Sequence, residues 1–80
     1  MNIQSIKVLV EQHTADELKQ AELDLLEERP LKITVDGADE GEQLTHILAA
    51  IWVSDRMRTN HVGIMPTIRE YGKRVRDSIS

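Results

Sequence analysis

The sequence contains no cysteine and no phenylalanine, and it has one tryptophan and one tyrosine among its 80 residues. Without cysteine, neither a disulfide framework nor thiol chemistry is possible, which is consistent with a reducing cytoplasm. Two aromatic residues are too few for the stacking platforms that bind single-stranded nucleic acids. The four glycines never approach the spacing of a dinucleotide-binding motif or a P-loop, so no phosphate-binding loop is predicted.

Long apolar runs are also missing. The longest covers residues 47–53, whereas a transmembrane helix needs about 20 apolar residues. The N-terminal stretch MNIQSIKVLVEQ has neither the basic region nor the small-residue cleavage site of a signal peptide. No repeat, low-complexity tract or linker divides the chain. We therefore expect a single small helical domain over residues 1–80, located in the cytoplasm.

Charge is distributed unevenly along the chain, whose net charge is −4. Residues 1–50 carry four basic and eleven acidic residues, a net −7, while residues 51–80 carry six basic and three acidic residues, a net +3. A nucleic-acid-binding patch at the C-terminus is one explanation. We favour the other explanation, in which the oppositely charged halves dock on each other within or between chains.

The first clear helix is predicted from about residue 14 to residue 28. Thr14 and Glu17 have the spacing of a capping box, in which each side chain accepts a hydrogen bond from the backbone amide of the other residue. Apolar residues then recur at helical intervals. Pro30 ends the pattern, because proline disfavours helical geometry in the residue before it.

Residues 3–10 fit either a helix or a strand, because their apolar residues satisfy both periodicities. A helix gives a mainly α fold, a small bundle of three to four helices with a short extended segment near residues 31–35. Strands near residues 5–10 and 31–35 would give an α+β fold, with a two-stranded sheet packed by three helices. Two strands alone are marginally stable, and we favour the helical bundle.

A long helix is predicted from residue 39 to about residue 59. Asp39 and Glu42 have N-cap spacing, and apolar residues cover almost the whole circumference between residues 44 and 53. A helix that is apolar on all sides is buried, and three neighbouring helices in so small a chain can hardly cover it. We therefore expect a homodimer interface on this helix, formed by Leu44, Ile47, Leu48, Ile51 and Trp52.

The last helix is predicted to begin near Pro66 or Thr67. Proline suits the first turn of a helix, and Thr67 with Glu70 repeats the capping-box spacing. Apolar residues then recur along one face of the helix.

Basic residues cover much of that last helix. Arg69, Lys73 and Arg76 share one face, and with Arg56 and Arg58 they are the best candidates for weak nucleic-acid binding. The acidic total and the pI near 5.2 argue against this function. We favour an alternative in which these residues stabilise the helix C-terminus and pair with the acidic helix 14–28.

The acidic stretch DGADEGEQLTH, residues 36–46, is the candidate metal site. An EF-hand is excluded, because the third and twelfth loop positions are apolar. Glu42 and His46 lie four residues apart on one helix face, and with Asp39 they would bind a metal only if a dimer duplicated the set. We favour a structural interpretation, in which the carboxylates stabilise the helix N-terminus and His46 is hydrogen-bonded to a carboxylate.

Catalysis has less support than metal binding. The serines lie in no strand–turn–helix elbow, and the absence of cysteine removes the other common nucleophile. No catalytic residue and no cofactor is predicted, and we expect a non-enzymatic protein.

Two runs of the sequence, DEGEQLTHILAAIW at residues 39–52 and IREYGKRVRDSIS at residues 68–80, resemble small uncharacterised bacterial proteins of about this length. The resemblance extends over nearly the whole chain. It implies a bacterial, cytoplasmic protein with one small domain, and it implies no activity and no site residue.

The function expected from the sequence is that of a protein-interaction module, paired with itself through helix 39–59 and able to bind another protein. The alternatives are metal binding through Glu42 and His46 across a dimer, and weak nucleic-acid binding through the C-terminal helix. A membrane partner is not expected.

Overall fold

Four α-helices make up most of the chain. The computed structural model describes residues 2–79, and its helices are α1 (Ile3–Gln12), α2 (Ala15–Leu26), α3 (Glu40–Asn60) and α4 (Ile64–Ile79). The prediction of a mainly α bundle is therefore confirmed. No helix among residues 2–79 combines the length and the apolar character needed to cross a bilayer.

The alternative fold with a two-stranded sheet is wrong. Residues 5–10 belong to α1, and residues 31–35 form a loop without strand pairing. The helix is favoured because it turns both Ile6 and Leu9 into the core, where each is almost completely buried. A strand would have placed these two residues on opposite faces.

Polar side chains cap the first three helices. Asn2, Thr14 and Asp39 each accept a backbone amide of the following turn through a side-chain oxygen. In α2 the predicted capping box is complete: the Glu17 amide donates to Thr14 Oγ1 at 3.1 Å, and the Thr14 amide donates to Glu17 Oε1 at 2.9 Å. Local sequence signals therefore determine where these helices begin.

The predicted start of the last helix is wrong by two to three residues. The helix begins at Ile64, so Pro66 is its third residue, where a missing N–H costs nothing because first-turn amides have no acceptor within the helix. Thr67 does not cap the helix. It is buried, and its hydroxyl group donates to the carbonyl oxygen of Gly63 at 2.8 Å.

α3 lies at the centre of the bundle and packs against each of the other three helices. Its fully buried residues form one core with apolar residues from every other helix and from the α2–α3 loop. Burying an aliphatic side chain of this size stabilises a fold by about 1.5–3 kcal/mol. The core consists of Ile6, Leu9, Leu18, Ala21, Val35, Ile47, Ala49, Ala50, Val53 and Ile68.

The argument that three helices cannot cover α3 is largely wrong. Ile47, Ala49, Ala50 and Val53 are all completely buried within the single chain, since two alanines in succession allow neighbouring helices to approach closely. What stays uncovered is a narrower stripe on the outer side of α3.

The long α2–α3 connection is held by backbone contacts at both ends. Glu28, at φ 58°, ends α2 in the left-handed region, and the Arg29 amide donates to the Asp24 carbonyl oxygen at 2.7 Å. Gly37 has φ 155°, and a Cβ there would lie 2.8 Å from both the amide nitrogen and the Cγ of Gln43. Only glycine fits this position without displacing the start of α3.

Gly72 presents the opposite case. It lies in the middle of α4, and apart from its chain neighbours and the backbone of its own helix, no atom of the described residues lies within 4 Å of where its Cβ would be. Gly72→Ala should therefore raise the free energy of unfolding by about 0.5–1 kcal/mol, because alanine has the higher helix propensity. The corresponding rise in Tm is about 2–8 °C, measured by circular dichroism during heating.

Gly37→Ala is the matched control for this prediction. The same substitution should lower Tm, since the added Cβ would clash with Gln43. A lower Tm for Gly72→Ala would mean that the glycine is required by the fold, which contradicts the open space beside it.

Candidate functional site

His46 is a buried histidine in the second turn of α3, with only 1% of its surface exposed. Its Nδ1 lies 2.8 Å from the carbonyl oxygen of Asp36, and its Nε2 accepts the backbone amide of Asn2 at 3.0 Å. A carbonyl oxygen can only accept, so Nδ1 carries the proton and Nε2 supplies the lone pair. The ring thus acts as a bridge between two backbone groups that are distant in sequence.

Further hydrogen bonds surround this bridge. Ser5, in the first turn of α1, donates its hydroxyl group to Asp36 Oδ2 at 3.2 Å. Gln43, one turn before His46, donates its side-chain amide to the carbonyl oxygen of Val35 at 3.1 Å. Together these contacts join the start of α1, the end of the α2–α3 loop and the start of α3.

The candidate metal ligands do not converge in the structure. Asp39 Oδ1 accepts the Glu42 amide at 2.8 Å as the N-cap of α3, and the Glu42 side chain is exposed. Both nitrogens of His46 are already bonded to the backbone. No cluster of three or more potential ligands exists within residues 2–79. The predicted hydrogen bond of His46 to a carboxylate is also wrong, since its partners are a backbone carbonyl and a backbone amide.

The residues predicted for a dimer interface divide into two groups. Ile47 is completely buried in the core of the single chain and is not available to a partner. Leu44, Ile51 and Trp52 are half-buried, and Leu48 is 42% exposed. Since these four residues follow one another at helical intervals, they lie along the outer side of α3, and we call them the outer stripe.

Trp52 lies at the edge of the outer stripe, where α3 meets α4. Its ring centroid is 5.4 Å from that of Tyr71, at an interplanar angle of 53°. The guanidinium carbons of Arg56 and Arg74 lie 5.7 Å and 5.5 Å from the ring centroid, within the range of cation–π contacts. Trp52 therefore joins α3 to α4 and also contributes to the protein surface.

Arg56 also forms a two-pronged ion pair with Glu70 of α4. Its Nε donates to Glu70 Oε1 at 2.8 Å, and its Nη2 donates to Oε2 at 3.3 Å. The hydrogen bonds and the positive charge of Arg56 lower the pKa of Glu70, and the same contact raises the pKa of Arg56. The partners are fourteen residues apart, so no spacing rule applied to the sequence predicts their contact.

The basic residues are only partly arranged as the nucleic-acid hypothesis requires. Arg56 is paired with Glu70, and Arg58 donates to Asp55 at 2.9 Å. The negative charge of each carboxylate offsets the positive charge of its arginine. This part of the surface therefore attracts phosphates less strongly. Arg69 and Lys73 on α4 are exposed.

Asp24 is a buried acidic residue that sequence reasoning did not select. Its Oδ1 accepts from Gln20 Nε2 at 3.0 Å and lies 3.2 Å from Arg29 Nε in an ion pair, while Oδ2 is buried without a partner among the described residues. The signal in the sequence was its position between the core residues of α2. Its contacts with Gln20 and Arg29 secure the end of α2 and the loop after it.

Comparison with protein families identifies the family of this chain. The chain belongs to the Family of unknown function (DUF6952), whose model matches residues 1–80. Searches of curated proteins and of solved structures find no match. The family membership confirms the resemblance seen in the sequence and transfers no activity to any residue.

His46→Ala should lower the free energy of unfolding by about 2–5 kcal/mol, because it removes a buried ring and leaves the Asn2 amide and the Asp36 carbonyl unpaired. Urea unfolding followed by circular dichroism measures the loss.

Glu42→Ala is the matched control for the His46 substitution, since Glu42 was the other metal candidate and its side chain is exposed. We expect a change of only about 0.3–1 kcal/mol for this variant, from the lost charge near the helix N-terminus. Equal losses in the two variants, accompanied by a metal bound to the wild type, would contradict the structural role of His46.

The Arg56–Glu70 pair predicts a dependence of stability on pH. Because the folded protein lowers the pKa of Glu70 from its ordinary value of 4.5, the pair stabilises the fold above that pH and loses its effect as pH falls through the lowered value. Glu70→Gln should therefore be less stable than the wild type at neutral pH, and the difference should shrink in acid.

Urea midpoints measured from neutral pH down to about pH 3 test this prediction. Glu11→Gln, which changes an exposed carboxylate of α1, controls for net charge. A difference between Glu70→Gln and the wild type that stayed constant across this range would contradict the role assigned to the pair.

Proposed function

We propose that this protein is a non-enzymatic protein-interaction module that forms a homodimer through the outer stripe of α3. The observation that carries the proposal is the partial exposure of Leu44, Leu48, Ile51 and Trp52 along one side of an otherwise buried helix. A second copy presents the same surface, and a twofold axis pairs such a surface with itself.

The charges of α3 favour an antiparallel pairing. The first turn of α3 carries Glu40 and Glu42. A parallel pairing would bring these like charges together, whereas a twofold axis through Leu48 keeps the acidic start of one helix away from that of the other. The same arrangement opposes the two helix dipoles, which is electrostatically favourable.

The size of the outer stripe indicates a reversible dimer. Leu44 and Ile51 are seven residues apart, which corresponds to about 10.5 Å along the helix. Interfaces as small as this one belong to the class that associates transiently, with a total buried area below about 1,200 Å². Dissociation constants in the micromolar range are therefore expected, on the order of 1–100 µM.

The two alternative functions have less support. Metal binding across a dimer would need His46 to give up a backbone partner, and nucleic-acid binding has to proceed with Arg56 and Arg58 already paired. The proposed setting of the module is a bacterial cytoplasm, supported by the absence of cysteine and by the resemblance of the sequence.

Leu48→Glu should convert the dimer to a monomer, because it places a charge on the twofold axis beside its own copy. The wild type and the variant are compared by sedimentation velocity and native mass spectrometry at concentrations around 100 µM, at or above the expected dissociation constant. The fold should persist, since Leu48 is 42% exposed.

Leu23→Glu is the matched control, because Leu23 is 47% exposed but lies on α2. This variant should dimerise like the wild type. A wild type that is monomeric at this concentration, or a Leu48→Glu variant that is still dimeric, would refute the proposed interface. The same mass spectra report any bound metal.

A further inference from the structure

We propose that the buried carboxylate of Asp24 binds a primary alkylammonium group. This inference goes beyond the proposed function and does not depend on the α3 dimer. Asp24 lines two cavities, one of about 180 Å³ and one of about 340 Å³, and Gln20 and Lys32 line both of them as well. Because Gln20 and Lys32 are exposed, both cavities reach the protein surface.

Asp24 occupies a position that is unfavourable for a carboxylate. It is 2% exposed and lies in the last turn of α2, where the helix dipole is negative. Its Oδ2 has no hydrogen-bond partner among the described residues. A buried acceptor without a donor costs stability, and departures of this kind from the rules of stable folds are expected at functional sites. The oxygen atom therefore suits a donor that comes from a ligand.

The number of available oxygen atoms selects the kind of donor. Oδ1 of Asp24 already accepts from Gln20 Nε2 at 3.0 Å and lies 3.2 Å from Arg29 Nε. A guanidinium ligand would need both carboxylate oxygens for its fork of N–H groups, whereas an ammonium group can bind a single oxygen. A metal ion would find too few ligands, since residues 2–79 contain no cluster of three or more suitable side chains.

The charges around Asp24 favour a cation. Arg29 Nε lies 3.2 Å from Asp24 Oδ1, and Arg29 Nη1 lies 3.1 Å from Glu27 Oε2. One guanidinium group thus pairs with two carboxylates, which leaves one negative charge among the three residues. The C-terminus of α2 adds the negative end of a helix dipole. A monovalent cation at Oδ2 offsets both.

The smaller cavity also has room for an alkyl chain. Ala21 and Ile33 line it together with the polar residues Glu17, Gln20 and Asp24. Apolar lining beside a carboxylate suits a ligand with a hydrocarbon chain and an ammonium group at its end. A free amine and the side chain of a lysine in another protein share this chemistry, and the experiment distinguishes the two sources.

Lys32 controls access to the carboxylate. Oδ2 of Asp24 is buried, so a ligand has to displace a neighbouring side chain to reach it. Lys32 is exposed, lines both cavities and carries the same charge as the ligand. Replacing it with glutamine should therefore strengthen binding, because a like charge is removed from the site.

The test is an NMR titration of the full-length protein with butylammonium chloride. The signals to follow are the side-chain amide of Gln20, which donates to Asp24, and the methyl groups of Ala21 and Ile33. We expect saturable shifts in the millimolar range of ligand concentration. Tetramethylammonium chloride has the same charge but no N–H group, and it should shift none of these signals at equal concentration.

Three substitutions locate the binding. Asp24→Asn should weaken butylammonium binding about tenfold, because a hydrogen bond to a charged group is lost. Lys32→Gln should strengthen it by about threefold. Lys19→Gln is the matched control and should leave the affinity unchanged, because Lys19 is an exposed lysine of α2 that lines neither cavity. If Asp24→Asn does not fold, the comparison of Lys32→Gln with Lys19→Gln tests the site by itself.

Several outcomes would overturn the proposal. They are the absence of saturable shifts in the wild type, equal shifts with tetramethylammonium, and an unchanged affinity in a folded Asp24→Asn variant. Binding seen only in Lys32→Gln would also overturn it, because Lys32 itself would then be the partner of Asp24. Tighter binding of Nα-acetyl-lysine methylamide than of butylammonium would support the ammonium site and identify a protein lysine as its source.

Discussion

The two hydrogen bonds of His46 are the constraint on which the arrangement of this fold depends. A histidine is among the few side chains that accept and donate at opposite ends of a rigid ring, and here it spans from the Asn2 amide to the Asp36 carbonyl. Asn2 lies just before α1 and Asp36 lies in the α2–α3 loop, so neither group is within a regular helix or strand. The ring satisfies them inside the protein, where an unpaired backbone group is costly. Because α3 carries the ring, the start of α1 and the end of the long loop take their positions from α3, and Val35 is thereby placed in the core.

The elements that the sequence predicted well are those determined by neighbouring residues. The capping box of Thr14 and Glu17, the N-cap at Asp39 and the helical identity of residues 3–10 all depend on contacts within about one turn. The misplaced start of α4 follows from the same local reasoning. Pro66 tolerates any position in the first turn, and the hydroxyl group of Thr67 bonds backward to Gly63 instead of capping forward. Local sequence rules therefore allow several first residues for α4. The packing of Ile68 into the core selects the one that is observed.

The candidate site was harder to predict, because its contacts join residues that are distant in sequence. His46 was selected as a polar residue on a packed face, but its partners lie ten and forty-four residues away. The ion pair of Arg56 and Glu70 gave no signal in the sequence, and the only signal for Asp24 was its position between the core residues of α2. The burial of α3 within the single chain was underestimated for a related reason. Apolar periodicity shows which sides of a helix avoid water. It does not show how closely other helices approach, and the small side chains of Ala49 and Ala50 allow a close approach in the folded protein.

The proposed interaction rests on the apolar surface that the single chain leaves exposed. A chain of 80 residues buries a smaller fraction of its surface than a larger domain does, so some exposed leucine and isoleucine is expected. The outer stripe differs from that background in being continuous, because Leu44, Leu48, Ile51 and Trp52 follow one another along one side of α3. The acidic first turn of α3 would meet its own copy in a parallel pairing, and an antiparallel pairing avoids that repulsion.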